Sequence, residues 1–217
     1  MLEAYQKSVF ENRDGVKSYE AGVALVATKA DVLRFAALLS KYQDREGFGD
    51  SGAFLSGLIN NLPAKDTITL DLSKLQSKLH YVGTCLRDRH LSIKGNVSLF
   101  LGRGMESGTI TLHGDAGGSV GHSMKGGEIV IKGNARDSAG YFMRSGKIIV
   151  EGNAGRKVGD CMEGGEITIK GNAADQVGSK MSGGTILLEG SYKSLARDMK
   201  GGRIYQRGKN ISKTRRR

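Results

Sequence analysis

The chain has no tryptophan, a single proline (Pro63) and two cysteines among its 217 residues. Aromatic residues make up 6 %. No stretch reaches the roughly 18 consecutive apolar residues that a membrane-spanning helix needs, which excludes an integral helical membrane protein. The first residues, Met1-Leu2-Glu3-Ala4-Tyr5-Gln6-Lys7, lack the charged-then-apolar pattern of a secretion signal, so a cytoplasmic protein is expected. Near-absence of proline beside abundant glycine is unlike collagen or a disordered linker.

Glycine is what the chain has in excess: 33 of 217 residues, roughly twice the usual share. The glycines recur at fixed places. Glu128-Ile-Val-Ile-Lys-Gly-Asn-Ala135 returns 19 residues later as Lys147-Ile-Ile-Val-Glu-Gly-Asn-Ala154, and again as Glu166-Ile-Thr-Ile-Lys-Gly-Asn-Ala173. His90–Val97 and Thr109–Ala116 extend the series backwards; Thr185–Gly190 and, after a coil one residue shorter, Arg203–Gly208 extend it forwards. Val120-Gly121, Ala139-Gly140, Val158-Gly159 and Val177-Gly178 form a second column, and Met105, Met124, Met143, Met162, Met181 and Met199 a third. Such a period is the mark of a solenoid.

Ile129 and Ile131 alternate with polar or mixed neighbours, which is the period of a strand. Four-residue segments bounded by Gly-Asn are too short for helices, and a constant period lets each strand pair with its equivalent in the next coil at about 4.8 Å. The expected fold is therefore mainly β: a right-handed parallel β-helix with 19-residue coils, the hand following from the crossover rule. Ile129, Ile148 and Ile167 then stack inward, and Met124, Met143, Met162 and Met181 fill the rest of a narrow interior. Gly114, Gly133, Gly152 and Gly171 supply the bends. Asn134, Asn153 and Asn172, with Asn96 and Asp115, are expected to stack as an amide ladder.

The outward positions test this register independently. One column reads Lys94, His113, Lys132, Glu151, Lys170, Glu189, and another Glu128, Lys147, Glu166, so opposite charges fall on adjacent rungs. Cys85 and Cys161 lie four periods apart, near 19 Å at about 4.8 Å per rung, too far for a disulfide. Two free thiols suit a reducing compartment.

Gly117-x-x-x-Gly121 and Gly155-x-x-x-Gly159, each followed by Met124 or Met162, resemble a superfamily named for its repeated Gly-x-x-x-Gly-x-x-x-Gly spacing. It includes the C-terminal domain of the glutamate synthase large subunit and the β-helical subunit of formylmethanofuran dehydrogenase. The run Ala139–Gly155 looks most like the latter, and the resemblance covers roughly residues 82–208. It implies a right-handed β-helix that packs against catalytic oxidoreductase subunits and itself binds no flavin, iron–sulfur cluster or metal. The chain has no N-terminal Cys nucleophile and no cysteine cluster, so the rest of glutamate synthase is missing.

Three segments follow: an α/β cap or docking region over 1–66, the repeat domain over 67–208, and a basic tail over 209–217. In the first, Thr28-Lys-Ala-Asp31 reads as a helix start with a capping box, followed by Val32, Phe35, Ala36 and Leu39 on one face. Gly47 and Gly49 mark a loop; Phe54, Leu55, Leu58, Ile59 and Leu62 read as a second amphipathic helix ending before Pro63. Thr67–Leu72 reads as a strand, and the coil around Val82 and Leu86 as the start of the β-helix.

Net charge is +11, yet residues 191–217 hold ten basic residues against Asp198 alone. Arg203, Arg207, Lys209, Lys213, Arg215, Arg216 and Arg217 are the candidate partner contacts. An acidic subunit or, through its phosphates, nucleic acid are the ligands such an end fits. No Gly-x-x-x-x-Gly-Lys-Ser/Thr loop occurs. His80, His90, His113 and His122 lie in different columns or rungs with no ligand spacing between them. Asp160, Glu163 and Asp175 invite comparison with the carboxylates of β-helical sugar enzymes, but the aromatic sugar platforms are missing. The expectation is a noncatalytic scaffold with no catalytic residue, cofactor or metal of its own. Its partners would be oxidoreductase subunits or further copies of itself, and the alternative is a free-standing anion- or nucleic-acid-binding protein.

Overall fold

A computed structural model of the protein describes residues 28–39, 51–63 and 67–212. Among the described residues two short helices, α1 (Lys29–Leu38) and α2 (Ser51–Asn60), precede nine strands. These are β1 (Thr67–Asp71), β2 (His90–Lys94), β3 (Thr109–His113), β4 (Glu128–Ile131), β5 (Lys147–Val150), β6 (Glu166–Ile169), β7 (Thr185–Leu188), β8 (Arg203–Gln206) and β9 (Lys209–Asn210). They form one sheet in chain order. β1 to β8 pair in parallel, each residue with its counterpart one coil on: Ile129 with Ile148, and Ile148 with Ile167. A second parallel line runs through Val97, Ala116, Ala135, Ala154, Ala173 and Tyr192. The molecule is a parallel β-helix whose strand register is the one the 19-residue repeat predicts.

The interior is built from stacked columns. Ile110, Ile129, Ile148, Ile167, Ile186 and Ile204 are fully buried, as are Met105, Met124, Met143, Met162 and Met181. Each methionine methyl lies over the turn of the next coil: a Cβ on Gly127 would sit 2.6 Å from Met105 Cε, and one on Gly165 2.7 Å from Met143 Cε. Gly114, Gly133, Gly152 and Gly171 serve close approach: a Cβ on Gly152 would lie 2.7 Å from the Gly133 carbonyl oxygen.

The asparagine column is laddered chiefly from side chain to backbone, with one amide bond along the column, Asn134 Nδ2 donating to Asp115 Oδ1 at 3.1 Å. Each side-chain oxygen accepts from the backbone N–H one coil later: Asn96 from Asp115, Asp115 from Asn134, Asn134 from Asn153, Asn153 from Asn172, at 2.7–2.8 Å. The bend is held by side chain against backbone, which satisfies N–H groups that leave the sheet there.

Strand pairing begins one rung before Val82, at Thr67. β2 begins 23 residues after β1, whereas the next five strands follow at intervals of 19. The four extra residues hide the first rung from a search at constant period.

Thr28 caps α1 with Asp31 in the reciprocal arrangement of a capping box. α2 corrects the amphipathic expectation: Ser51 to Ile59 are buried on every side. Its small polar stripe, Gly52, Ser56 and Asn60, lies against the first coil. Ser56 Oγ accepts from Gly83 N–H at 2.8 Å and donates to the Tyr81 carbonyl at 3.0 Å. Asn60 Nδ2 donates to the carbonyls of Thr84 and Cys85 at 3.0 and 3.1 Å. These bonds satisfy the open edge of the solenoid, which would otherwise expose unpaired backbone. Buried Arg89 donates to the carbonyls of Ile59, Asn60 and Leu62 at the end of α2.

At the other end, residues 209–212 are part of the folded body rather than a free tail. β9 pairs antiparallel with β8, Ile211 N–H donates to the Ile204 carbonyl, and Ser212 Oγ accepts from Ile204 N–H. The Gly47–Gly49 loop lies outside the described residues. Among the described residues no helix is long and apolar enough to cross a membrane.

Candidate docking surfaces

Four residues after the Asn column each coil turns through residues with positive φ. Gly102, Gly121, Gly140, Gly159 and Gly178 hold one such position, but two neighbouring columns carry side chains. Tyr81, Phe100, Ser119, Ser138, Lys157 and Gln176 fill one, and Cys85, Ser123, Phe142, Cys161 and Lys180 the other, at φ of 50–64°. Left-handed backbone is costly for residues other than glycine. It is held here because the flanking N–H groups pair with the adjacent coils: Tyr81 N–H with the Leu99 carbonyl, Gly102 N–H with that of Val82, and Phe142 N–H with that of Asp160.

On this turn face the repeat assembles aromatic rings. Tyr81 and Phe100, one period apart, stack at 5.0 Å with planes 5° apart. His122 meets the Phe100 ring edge-on at 5.7 Å and Tyr141 at 5.2 Å; Tyr141 packs on Phe142 at 4.3 Å. The Arg103 guanidinium lies 5.8 Å from the Tyr81 ring centre, within cation–π range. Phe142 at the margin is 39 % exposed. Four of the eight described Phe and Tyr side chains therefore lie in one surface ridge, with His122 at its centre. Exposed, clustered aromatic and apolar surface of this kind marks an interaction site. It was hidden in the sequence because the ridge runs diagonally across three columns; the period-19 pairs Tyr81/Phe100 and His122/Tyr141 were the available signal.

Beside the ridge runs a charge ladder. Glu106 accepts from Arg87 at 2.7 Å and faces Lys125 at 3.3 Å; Arg144 pairs with Glu163 at 3.4 Å. The Arg87 hydrogen bond holds the Glu106 carboxyl below the usual range. Burial, with a smaller contribution from Arg103, pushes His122 below the ordinary histidine value, and its Nδ1 has no partner. The folded state therefore resists a proton that the unfolded chain accepts. Stability from this group is present above pH of about 6.5 and is lost as pH falls through the lower folded value. A melting series from pH 8 to 5 should show this early decline, and His122→Phe, which keeps the ring contacts, should remove it.

The residues weighed for catalysis are occupied elsewhere. Asp160 is buried with Lys157 Nζ at 3.9 Å, Glu163 faces Arg144, and Asp175 faces Lys193 at 3.1 Å. Both cysteines are free thiols, and burial pushes each above the usual thiol value, with Glu106 adding to this at Cys85 and Asp160 at Cys161. They remain protonated at neutral pH and are poor nucleophiles. His80 and His122 are separated by the Tyr81 and Phe100 rings, His80 beside Tyr81 at one end of the ridge and His122 between Phe100 and Tyr141, while His90 Nδ1 lies 2.7 Å from Thr109 Oγ1. Among the described residues no group of three or more His, Cys, Asp and Glu side chains is placed to hold a metal.

Of the basic candidates, Arg203, Arg207 and Lys209 are exposed on the last rung and its hairpin. Lys213, Arg215, Arg216 and Arg217 lie outside the described residues. The outward columns carry the ion pairs expected of them: Lys132–Glu151 at 2.8 Å, Lys170–Glu151 at 3.5 Å and Lys147–Glu166 at 2.9 Å.

No protein-family model and no curated protein matches this chain. Among solved structures it is similar to a chain of the formyltransferase/hydrolase complex (FhcABCD) from Methylorubrum extorquens, crystallised with methylofuran. Identity is 27 %, the match covers 62 % of this chain and 59 % of that one, and the TM-score is 0.48.

Proposed function

We propose that this protein is a noncatalytic β-helical scaffold that docks against the catalytic members of a multi-subunit oxidoreductase, in the manner of the β-helical subunit of formylmethanofuran dehydrogenase or the glutamate synthase C-terminal domain. One observation carries the reading. The turn face presents a half-buried aromatic ridge with Phe142 exposed, on a backbone laddered coil to coil, while the candidate carboxylates are ion-paired and the thiols protonated. A rigid surface with aromatic anchors suits partner recognition, where such side chains dominate the binding energy. The repeat spacing and the run Ala139–Gly155 supply the family side of the argument. A cytoplasmic setting fits the two free thiols.

Arg203, Arg207 and Lys209, exposed together at the last rung, favour a second reading as an anion- or nucleic-acid-binding end. Purifying the tagged protein from its native cells at low salt and identifying stoichiometric companions by mass spectrometry separates the two. Flavin, iron–sulfur or molybdenum/tungsten proteins are expected. Nucleic acid alone, released by moderate salt, would replace the scaffold reading with the second.

A further inference from the structure

The outer face of the sheet is a second candidate surface, independent of the turn face. There the middle positions of β4 to β8 are Val130, Ile149, Thr168, Leu187 and Tyr205, all half-buried or, for Thr168, buried by its neighbours. Their alternation with the inward Ile129/Ile131 and Ile148/Val150 pairs directs them away from the core. Charged columns wall this stripe on both sides. Before it stand Glu128, Lys147 and Glu166; after it, on the same rungs, stand Lys132, Glu151 and Lys170.

Attraction between neighbouring rungs accounts for the alternation within each column, as the ion pairs show. It does not account for the opposite phase of the two columns, whose members on one rung are about 13 Å apart and screened from each other. Opposite phase matters to a second copy. A twofold axis parallel to the solenoid axis, lying in the plane between two facing sheets, brings the first column of one copy over the second column of the other, rung for rung. Glu128 then faces Lys132, Lys147 faces Glu151, and Glu166 faces Lys170, each pair occurring twice. Val130, Ile149, Thr168 and Leu187 meet their own equivalents on the axis. At the last rung Arg203 faces Arg207, so the complementary register ends there.

We propose that this sheet face is an isologous interface joining two copies of the chain about that axis. The four rungs β4 to β7 at about 4.8 Å and a width of about 20 Å including the charged walls give roughly 400 Å² per copy. This lies below the size of stable specific interfaces, so a weak, concentration-dependent dimer with a dissociation constant on the order of 100 µM is expected.

Sedimentation velocity on the full chain, from about 1 to 500 µM at low salt, tests it. The wild type is expected to pass from monomer to dimer. Lys147→Glu alone and Glu151→Lys alone each create two like-charge pairs across the axis and should weaken dimerisation at least about tenfold. An equimolar mixture of the two variants restores both pairs and should dimerise like the wild type, as should the double variant K147E/E151K. All sites are on the surface, and thermal melting verifies that each variant is folded. A wild type that stays monomeric throughout would overturn the proposal. So would single variants that dimerise undiminished, or a mixture that does not recover.

Discussion

Ile148→Asp is expected to abolish the native fold at ordinary temperatures, while Ile149→Asp, one residue on, leaves it standing. Ile148 is fully buried between Ile129 and Ile167, and its Cδ1 packs on Gly121 of an earlier coil. Truncating a buried isoleucine alone costs about 2–5 kcal/mol. The aspartate adds a carboxylate with no partner, which takes up a proton or draws water into the stack. Ile149 faces outward, and its replacement removes only part-exposed apolar area. A shift of one residue in register would exchange the two outcomes. Urea denaturation of both variants gives the comparison. A wild-type midpoint for Ile148→Asp would mean that the strand register is wrong.

Gly140→Val should come close to it. Gly140 holds φ of +76° in the turn face, where a β-branched residue is strained, and a Cβ there would collide with Ile167 Cδ1 in the next coil. The collision falls on a side chain locked in the core column, so the coil spacing must open locally. Left-handed strain and overpacking each cost about 1–3 kcal/mol, and here they act together. Gly208 is the matched control. Its φ is +79°, but nothing lies within 4 Å of its Cβ position, so Gly208→Ala meets the backbone term alone, about 1–2 kcal/mol. Equal losses at the two sites would show that packing against Ile167 contributes nothing.

The repeat was legible because each of its columns answers to one physical demand. Ile129, Ile148 and Ile167 must be apolar, Gly114, Gly133 and Gly152 must lack a Cβ, and Lys132, Glu151 and Lys170 must alternate in sign. A period of 19 then emerges from counting. What escaped notice broke the period or crossed it. β1 was legible as a strand at Thr67–Leu72 but stands off the 19-residue count behind a four-residue insertion, and α2 reads as half polar because Gly52, Ser56 and Asn60 serve the first coil instead of water. Tyr81, Phe100 and Phe142 hold positive φ with no glycine to announce it; inter-coil hydrogen bonds enforce that geometry, and no local sequence preference encodes it. The aromatic ridge belongs to three columns at once, so reading each column separately disperses it. Lys209–Ser212 looked like the start of a basic tail because a two-residue strand after Gly208 leaves no periodic trace.

The scaffold account rests on the turn face, and Phe142 is its most exposed ring. Phe142→Asp removes the anchor while suiting the backbone, since aspartate tolerates φ of +53° better than most residues. The decisive measurement is quantitative recovery of companion proteins from native cells with wild-type bait and with Phe142→Asp bait of equal thermal stability. The account predicts that companions are held by the wild type and fall at least about tenfold with the variant, as loss of an interface anchor worth about 2 kcal/mol requires. Undiminished recovery with Phe142→Asp would contradict it and place docking on another face.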